Sequence, residues 1–179
     1  MRLLLCRHAA AGDGGQVAQL AERLAGLDVA AVYTSPLERA AATAEAVAAR
    51  HGLAPLMRDE LREIDLGEVD GLQFEEYTPE LQATLLNAPA TVHFPGGESY
   101  EQLRRRVVGV LDEIVAQHGD EAVVAVSHAG AIRAALATWL SIPPEASFRI
   151  DQRFASVNLV DWIDGVPLVR LVNGPGPER

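Results

Sequence analysis

The sequence predicts an α/β domain: a mostly parallel, doubly wound sheet with helices on both faces, arranged as a three-layer sandwich. Two observations predict a single domain of this fold class. Short, continuous apolar runs alternate along the chain with segments whose apolar residues recur at helical spacing. The length, 179 residues, falls within the roughly 100–200 residues typical of one domain. Alternating strands and helices place the helices on both faces of a parallel sheet.

The elements follow in order along the chain. Continuous apolar runs predict buried strands at residues 3–6, 29–33 and 122–126. Apolar residues at helical spacing predict helices at 17–24, 37–48, 103–114 and 132–140. An Asp164-Gly165 turn predicts a terminal hairpin of residues 155–163 and 166–172. We therefore expect a single domain over residues 1–172, followed by a flexible tail over 173–179.

Residues 72–94 are expected to form a partial lid over this domain. Its apolar side chains can pack on the body of the domain, and they are Phe74, Tyr77, Leu81, Leu85 and Leu86. Three carboxylates, Glu75, Glu76 and Glu80, make the lid acidic. An acidic lid disfavours highly anionic substrates such as bisphosphates.

Composition and charge exclude several classes of protein. The apolar fraction of 49% excludes a disordered chain, and the net charge of −10 argues against a nucleic-acid binder. The single cysteine, Cys6, excludes a disulfide framework, and the five histidines lack metal-ligand spacing. The apolar run at residues 3–6 is too short for a signal peptide or a membrane span, so we expect a cytoplasmic protein without a membrane partner.

Polar side chains follow the predicted strands at the edge where α/β sheets bind ligands. Arg7-His8 follows the first strand, residues 34–39 follow the second, and Ser127-His128 follows the third. Ser35 and Glu38 predict a capping box that aims Arg39 at the strand ends. The second histidine opens a helix, where free N–H groups favour an anion. This set suits a dianionic phosphate with a histidine placed to attack it.

Five segments in this order resemble the histidine phosphatase superfamily, the phosphoglycerate-mutase-like group. They are Arg7-His8, Ser35-Pro36-Leu37-x-Arg39-Ala40-x-x-Thr43-Ala44, Leu61-x-Glu63, Gly96-Gly97-Glu98-Ser99 and Ser127-His128-x-Gly130-x-x-Arg133. The resemblance runs from residue 2 to about residue 160 and implies a phosphoglycerate-mutase-like fold.

The resemblance also implies five catalytic residues, which are Arg7, His8, Arg39, Glu63 and His128. His8 is expected to be the nucleophile that becomes phosphohistidine. Arg7, Arg39, His128 and the backbone N–H of Ala129 are expected to bind the phosphoryl oxygens. Glu63 is expected to protonate the leaving alcohol and then to activate water. No metal ion and no cofactor are implied, because the cations are side chains.

This sequence departs from the usual family pattern at three places. The family usually has glycine after Arg-His, and this sequence has Ala9 at that position. Ala129 likewise replaces the usual glycine after the second histidine. The stretch between His8 and Thr34 is short, and a loop that helps to bind phosphate and to close over substrate is missing. A shortened 9–15 loop suits hydrolysis better than retention of a phosphorylated intermediate.

We therefore expect a metal-independent phosphomonoesterase that acts on a small phosphate monoester or on a phosphoprotein. Within that class, the alternatives are a broad-specificity phosphatase, an α-ribazole-phosphate phosphatase, a sugar-phosphate phosphatase and a protein phosphohistidine phosphatase. Outside it, the alternatives are a phosphoglycerate mutase and a non-catalytic phosphate-binding regulatory domain. The sequence carries no signal of oligomeric state.

Two further features, at the start of the long helix and on its first turns, indicate helix structure and no functional site. Ser99 and Gln102 predict a second capping box at the start of the long helix. Arg104, Arg105 and Arg106 follow it, and we expect all three to lie on a solvated helix face.

Overall fold

The computed structural model describes residues 1–176 of the chain. Its strands are β1 (Arg2–Arg7), β2 (Ala31–Thr34), β3 (Leu56–Met57), β4 (Ala122–Ser127), β5 (Val157–Ile163) and β6 (Val166–Gly174). Its α-helices are α1 (Gly14–Leu24), α2 (Glu38–Ala49), α3 (Pro79–Asn87), α4 (Tyr100–His118), α5 (Ala129–Trp139) and α6 (Pro144–Ser147). Four single turns of 3₁₀ helix, at residues 59–61, 67–69, 74–76 and 89–91, complete the described part of the chain.

Within residues 1–176 the strands form one sheet in the order β3-β2-β4-β1-β5-β6. The first four strands in this order are parallel, β5 is antiparallel to its neighbour β1, and β6 is antiparallel to β5. Alternate residues of β1 face opposite layers: Leu3 and Leu5 pack in the core formed with α4 and α5, while Leu4 and Cys6 pack in the core formed with α1 and α2. The predicted three-layer α/β fold is confirmed.

Backbone pairing brings three strand ends to one edge of the sheet. In the parallel register of β1 and β4, Arg7 lies opposite Ser127. The N–H of His8 donates to the carbonyl of Ser127 at 3.0 Å, and the N–H of Ser35 donates to the carbonyl of Val126 at 3.1 Å. The residues that follow β1, β2 and β4 therefore share the edge that the sequence predicts.

The predicted elements are present, and one strand was missed. β3 has only two residues, and Leu56 and Met57 are 49% and 59% exposed at the edge of the sheet. A two-residue, exposed strand contains no continuous run of buried apolar residues and is too short to show alternating apolar and polar residues. The hydrophobic pattern of the sequence therefore does not predict it. The terminal hairpin is confirmed, since Asp164 and Gly165 both have positive φ, as a two-residue hairpin turn requires.

The segment 72–94 folds largely on itself. It contains α3, whose N-terminus is capped by the hydroxyl of Thr78. A small core of Val69, Leu81, Val92 and Phe94 holds the segment together. Leu86 is 72% exposed, so the expectation that it packs on the body is wrong.

The last strand extends beyond the predicted end of the domain. β6 runs to Gly174, and the Asn173 side chain accepts a hydrogen bond from the N–H of Arg153 at 2.6 Å. The predicted tail over 173–179 is thus ordered at its start, and its residues 177–179 lie outside the described residues. No helix within residues 1–176 is both long enough and apolar enough to cross a membrane.

Candidate active site

His8 stands directly after β1 and is almost completely buried. Its Nδ1 lies 2.7 Å from the carbonyl oxygen of Ala9, and its Nε2 accepts a hydrogen bond from Nε of Arg39 at 3.2 Å. Because a carbonyl only accepts, Nδ1 carries the proton and Nε2 keeps its lone pair. Burial, and then the charges of Arg39 and Arg7, lower the pKa of His8 below its ordinary 6.5. The ring is therefore neutral near pH 7.

His128 is fully buried and occupies the N-cap position of α5. Its ring centroid lies 4.9 Å from that of His8. Its Nε2 lies 2.8 Å from Oγ of Ser35, whereas its buried Nδ1 has no hydrogen-bond partner within residues 1–176. Burial, and then the neighbouring His8 and the arginines, lower the pKa of His128 to about 3. The buried Nδ1 departs from the rule that buried polar groups are hydrogen-bonded.

The predicted capping box at Ser35 and Glu38 is wrong. α2 begins at Glu38, its N-cap residue is Leu37, and no side chain caps it. The Ser35 hydroxyl accepts from the N–H of Leu37 at 3.2 Å and contacts His128 instead. The predicted direction of Arg39 nevertheless agrees with the structure, because the residue lies in the first turn of α2 and its guanidinium contacts His8.

Arg7 lies beside an aromatic residue that the motif pattern does not contain. The guanidinium carbon of Arg7 lies 3.7 Å from the ring centroid of Phe154, within cation–π range. Its Nη1 donates to the carbonyl of Gln152 at 2.6 Å. The Phe154 ring centroid also lies 5.5 Å from that of His8, and its side chain is 43% exposed. Phe154 therefore forms an exposed wall of the site.

Glu63 reaches the same site from an irregular segment between two 3₁₀ turns. Its Oε2 accepts from the N–H of Gly130 in the first turn of α5 at 3.1 Å, and its Oε1 accepts from the N–H of Ile64 at 3.0 Å. A Cβ at position 130 would collide with the Glu63 carboxylate, so the glycine leaves room for this side chain. The carboxylate also lies close enough to Arg7 for charge interaction. One helix terminus thus fixes both His128 and Glu63.

Ala129, the remaining predicted site residue, is the first residue of α5. The first four N–H groups of a helix have no intrahelical acceptor. The Ala129 N–H therefore points out of the helix terminus next to His128. All of the predicted site residues consequently belong to the ends of β1 and β4, the starts of α2 and α5, and the segment that carries Glu63.

Two cavities flank Arg39. One, of about 200 Å³, is lined by Glu63, Asp65 and Asp70. The other, of about 360 Å³, is lined mainly by the backbone and small side chains of residues 10–14 and by Arg39. A larger cavity, of about 540 Å³, lies at the opposite edge of the sheet near the chain start and contains none of the predicted site residues. Open space therefore lies on both sides of Arg39.

Comparison with known proteins gives the family. The sequence profile of the histidine phosphatase superfamily (branch 1) matches residues 14–174, which begin after Arg7 and His8. A bifunctional protein of Mycobacterium tuberculosis is 35% identical over 152 residues, which are 83% of this chain and 42% of that protein. Phosphoserine phosphatase 1 of Hydrogenobacter thermophilus is 34% identical over 130 residues, which are 71% of this chain and 62% of that protein. This chain therefore spans only part of the length of these relatives.

A solved structure gives the same result for the fold. YhfR of Bacillus stearothermophilus superposes with a TM-score of 0.89, and the match covers 97% of this chain and 96% of that one at 25% identity. The profile spans most of the chain, and the whole fold agrees, so the resemblance found in the five motifs is confirmed. The chain belongs to the histidine phosphatase superfamily.

Proposed function

We propose that the protein is a metal-independent phosphatase that hydrolyses phosphate monoesters through a phosphohistidine on His8. The observation that carries this proposal is the orientation of the His8 ring, with Nδ1 on the Ala9 carbonyl and Nε2 facing Arg39. A neutral imidazole with a fixed tautomer beside a guanidinium suits attack on a phosphorus atom. The relative named phosphoserine phosphatase 1 supports hydrolysis, while other relatives are named probable phosphoglycerate mutases.

In the first step, Arg39 turns its donors from Nε2 of His8 to the phosphoryl oxygens, the freed Nε2 lone pair attacks phosphorus, and the bond between phosphorus and the leaving oxygen breaks. The ring becomes positively charged, and the Ala9 carbonyl stabilises the Nδ1 proton that it retains. Arg7 and Arg39 bind the phosphoryl oxygens, since guanidinium groups offer paired donors to such anions. Their charges act where the transition state carries its negative charge, which is the main source of catalysis in phosphoryl transfer.

His128 and Ala129 supply two more donors from the N-terminus of α5. When the Ser35 hydroxyl donates to Nε2 of His128, the ring proton resides on Nδ1. This proton then has a phosphoryl oxygen as its acceptor, which satisfies the orphaned buried nitrogen. The Ala129 N–H adds the free end of a helix, where anions are favoured.

Glu63 handles the protons of both steps. In the first step its carboxyl group gives a proton to the departing alkoxide. In the second step its carboxylate takes a proton from water as the water oxygen attacks phosphorus, and the bond between phosphorus and Nε2 of His8 breaks. Inorganic phosphate leaves, and the histidine returns to its neutral state. This cycle needs a carboxyl group next to the phosphate, as the contacts of Glu63 provide.

The presence of Glu63 argues against a phosphate-binding domain without activity. A carboxylate beside a dianionic phosphate weakens binding by charge repulsion, so it is useful there only for proton transfer. A mutase is disfavoured by a different feature. Asp65 and Asp70 line the cavity next to Glu63, and they repel the second acidic group of a bisphosphate or a phosphoglycerate.

The first test measures turnover of 4-nitrophenyl phosphate with a chelator present. We expect release of phosphate, and we expect His8→Ala to lose nearly all activity because the covalent route needs that nucleophile. Arg105→Ala, on the exposed surface, serves as the matched control and should keep wild-type turnover. Loss of activity on chelation, full activity of His8→Ala, or isomerisation of phosphoglycerate without phosphate release would each refute the proposal.

The second test separates the role of Glu63 from simple binding. An alkyl alkoxide is a poor leaving group and needs a proton, whereas nitrophenolate does not. General acid catalysis contributes about 10²–10⁴-fold. Glu63→Gln should therefore lose most of this range on an alkyl phosphate and far less in the phosphorylation step on an aryl phosphate. Pre-steady-state measurement should give a burst of nitrophenol, because water activation becomes slow. Equal losses without a burst would contradict the assignment.

The third test uses the close approach of Gly130 to Glu63. In Gly130→Ala the new methyl group displaces the end of a flexible side chain, so the melting temperature should change little. The activity should show the same dependence on the leaving group as Glu63→Gln. Gly109→Ala, in the open middle of α4, is the control for adding a methyl group to a helix. Wild-type turnover of alkyl phosphates by Gly130→Ala would show that the position of Glu63 is unimportant.

A further inference from the structure

Arg106 differs from the two arginines that precede it on α4. Arg104 and Arg105 pair with Glu101, as expected for a solvated helix face. The Arg106 side chain is only 21% exposed, so the expectation of a solvated face is wrong for this residue. Its guanidinium makes five hydrogen bonds across the segment that leads into the active site.

Three of these bonds go to backbone carbonyl groups of the segment that carries Glu63. Nη1 donates to the carbonyls of Glu60 and Arg62, each at 2.8 Å, and Nη2 donates to the carbonyl of Glu63 at 2.9 Å. Glu60 lies in the single 3₁₀ turn 59–61, and Arg62 and Glu63 follow it in irregular backbone, so no α-helix or strand ladder pairs these carbonyls. Arg106 supplies the missing donors.

Glu98 binds the same segment at Asp65, on the C-terminal side of Glu63. Its carboxylate binds Arg106 through Nε at 2.6 Å and Nη2 at 2.7 Å, and it accepts from the N–H of Asp65 at 3.1 Å. The Glu98 N–H in turn donates to the carbonyl of Asp65 at 2.9 Å. A Cβ at Gly97 would collide with the Asp65 backbone, so the glycine permits this close approach. The Gly96-Gly97-Glu98 motif thus attaches the backbone at Asp65 to the start of α4.

We infer that Arg106 and Glu98 form a positioning pair that fixes the position of the Glu63 carboxyl group in the active site. The inference rests on the proposed role of Glu63 as the proton donor. Arg106 holds the carbonyls of Arg62 and Glu63, and Glu98 holds the N–H of Asp65. The N–H groups of Gly130 and Ile64 hold the carboxylate oxygens of Glu63. Proton transfer depends on the position of the donor at the scale of an ångström, so loosening the pair should affect proton transfer before it affects phosphate binding.

The test compares Arg106→Lys with Arg104→Lys. Both changes keep the charge and remove a guanidinium that binds a carboxylate with two hydrogen bonds, but only the first touches the Glu63 segment. We expect Arg106→Lys to lower turnover of an alkyl phosphate by about 10–100-fold, and phosphorylation by an aryl phosphate by less than about threefold. Arg104→Lys should leave both rates unchanged. Equal losses on both substrates in Arg106→Lys would overturn the inference.

The double variant Arg106→Lys/Glu63→Gln tests whether both residues act through one group. We expect it to lose no more alkyl phosphate turnover than Glu63→Gln alone, because residues that act as a unit are not additive. A further loss beyond that of Glu63→Gln would contradict a positioning role. If Arg106→Lys does not fold, Glu98→Gln takes its place in both comparisons.

Hydrogen exchange keeps this inference separate from the proposed chemistry. The Gly130 N–H donates to the Glu63 carboxylate, so its exchange should become faster in Arg106→Lys and remain unchanged in Arg104→Lys. Unchanged exchange at Gly130 in both variants would overturn the positioning pair whatever the activities. If exchange changes as expected but Glu63→Gln shows no dependence on the leaving group, the pair positions Glu63 and the proposed proton donor is wrong.

Discussion

The parallel pairing of β1 with β4 is the constraint on which the rest of the site depends. It places Arg7 opposite Ser127, the last residues of the two strands, and a histidine directly follows each of them. The two imidazoles therefore leave neighbouring strands at the same level, with ring centroids 4.9 Å apart. A shift of one residue in this register would send one ring to the other side of the sheet. The cores on both faces of β1 oppose such a shift, since Leu3 to Cys6 are all completely buried.

The second constraint is electrostatic. Two imidazoles buried beside two guanidinium groups are stable only when both rings are neutral, and the lowered pKa values of His8 and His128 express this condition. Neutrality leaves each ring with one donor and one acceptor nitrogen. The carbonyl of Ala9, which only accepts, fixes the tautomer of His8, and the hydroxyl of Ser35 is the hydrogen-bond partner of Nε2 of His128. The environment that makes protonation costly also prepares one ring for attack and the other for donation.

The sequence predicted the fold, and it predicted that the candidate site residues share one edge of the sheet, because both depend on local patterns. Buried strands are continuous apolar runs, and the residues after them must meet at one edge of a parallel sheet. The capping box at Ser35 was wrong because the same hydroxyl has a partner distant in sequence, His128, which a local motif cannot reveal. Phe154 was missed for a similar reason, since it contacts His8 at a sequence separation of 146 positions.

The role of Arg106 was hidden by its neighbours. Three consecutive arginines on a helix indicate a solvated face, and for Arg104 and Arg105 this is what the structure contains. Arg106, the third, donates hydrogen bonds to the backbone carbonyl groups of the segment that carries Glu63. The hydrophobic pattern of the sequence does not indicate that these carbonyl groups need a side-chain donor. The motif that contains Glu98 carried the signal, because a pair of glycines before a carboxylate indicates a close backbone approach as well as a helix start.

The most direct test of the account is the position of phosphate on the enzyme. The Nδ1 proton of His8 is held by the Ala9 carbonyl, so phosphate should become attached to Nε2. Enzyme denatured in alkali during turnover, digested and examined by phosphorus and proton NMR spectroscopy should carry an alkali-stable, acid-labile phosphate on that nitrogen of His8. Phosphate on Nδ1, on His128 or on a serine, or unmodified enzyme during rapid turnover, would contradict it.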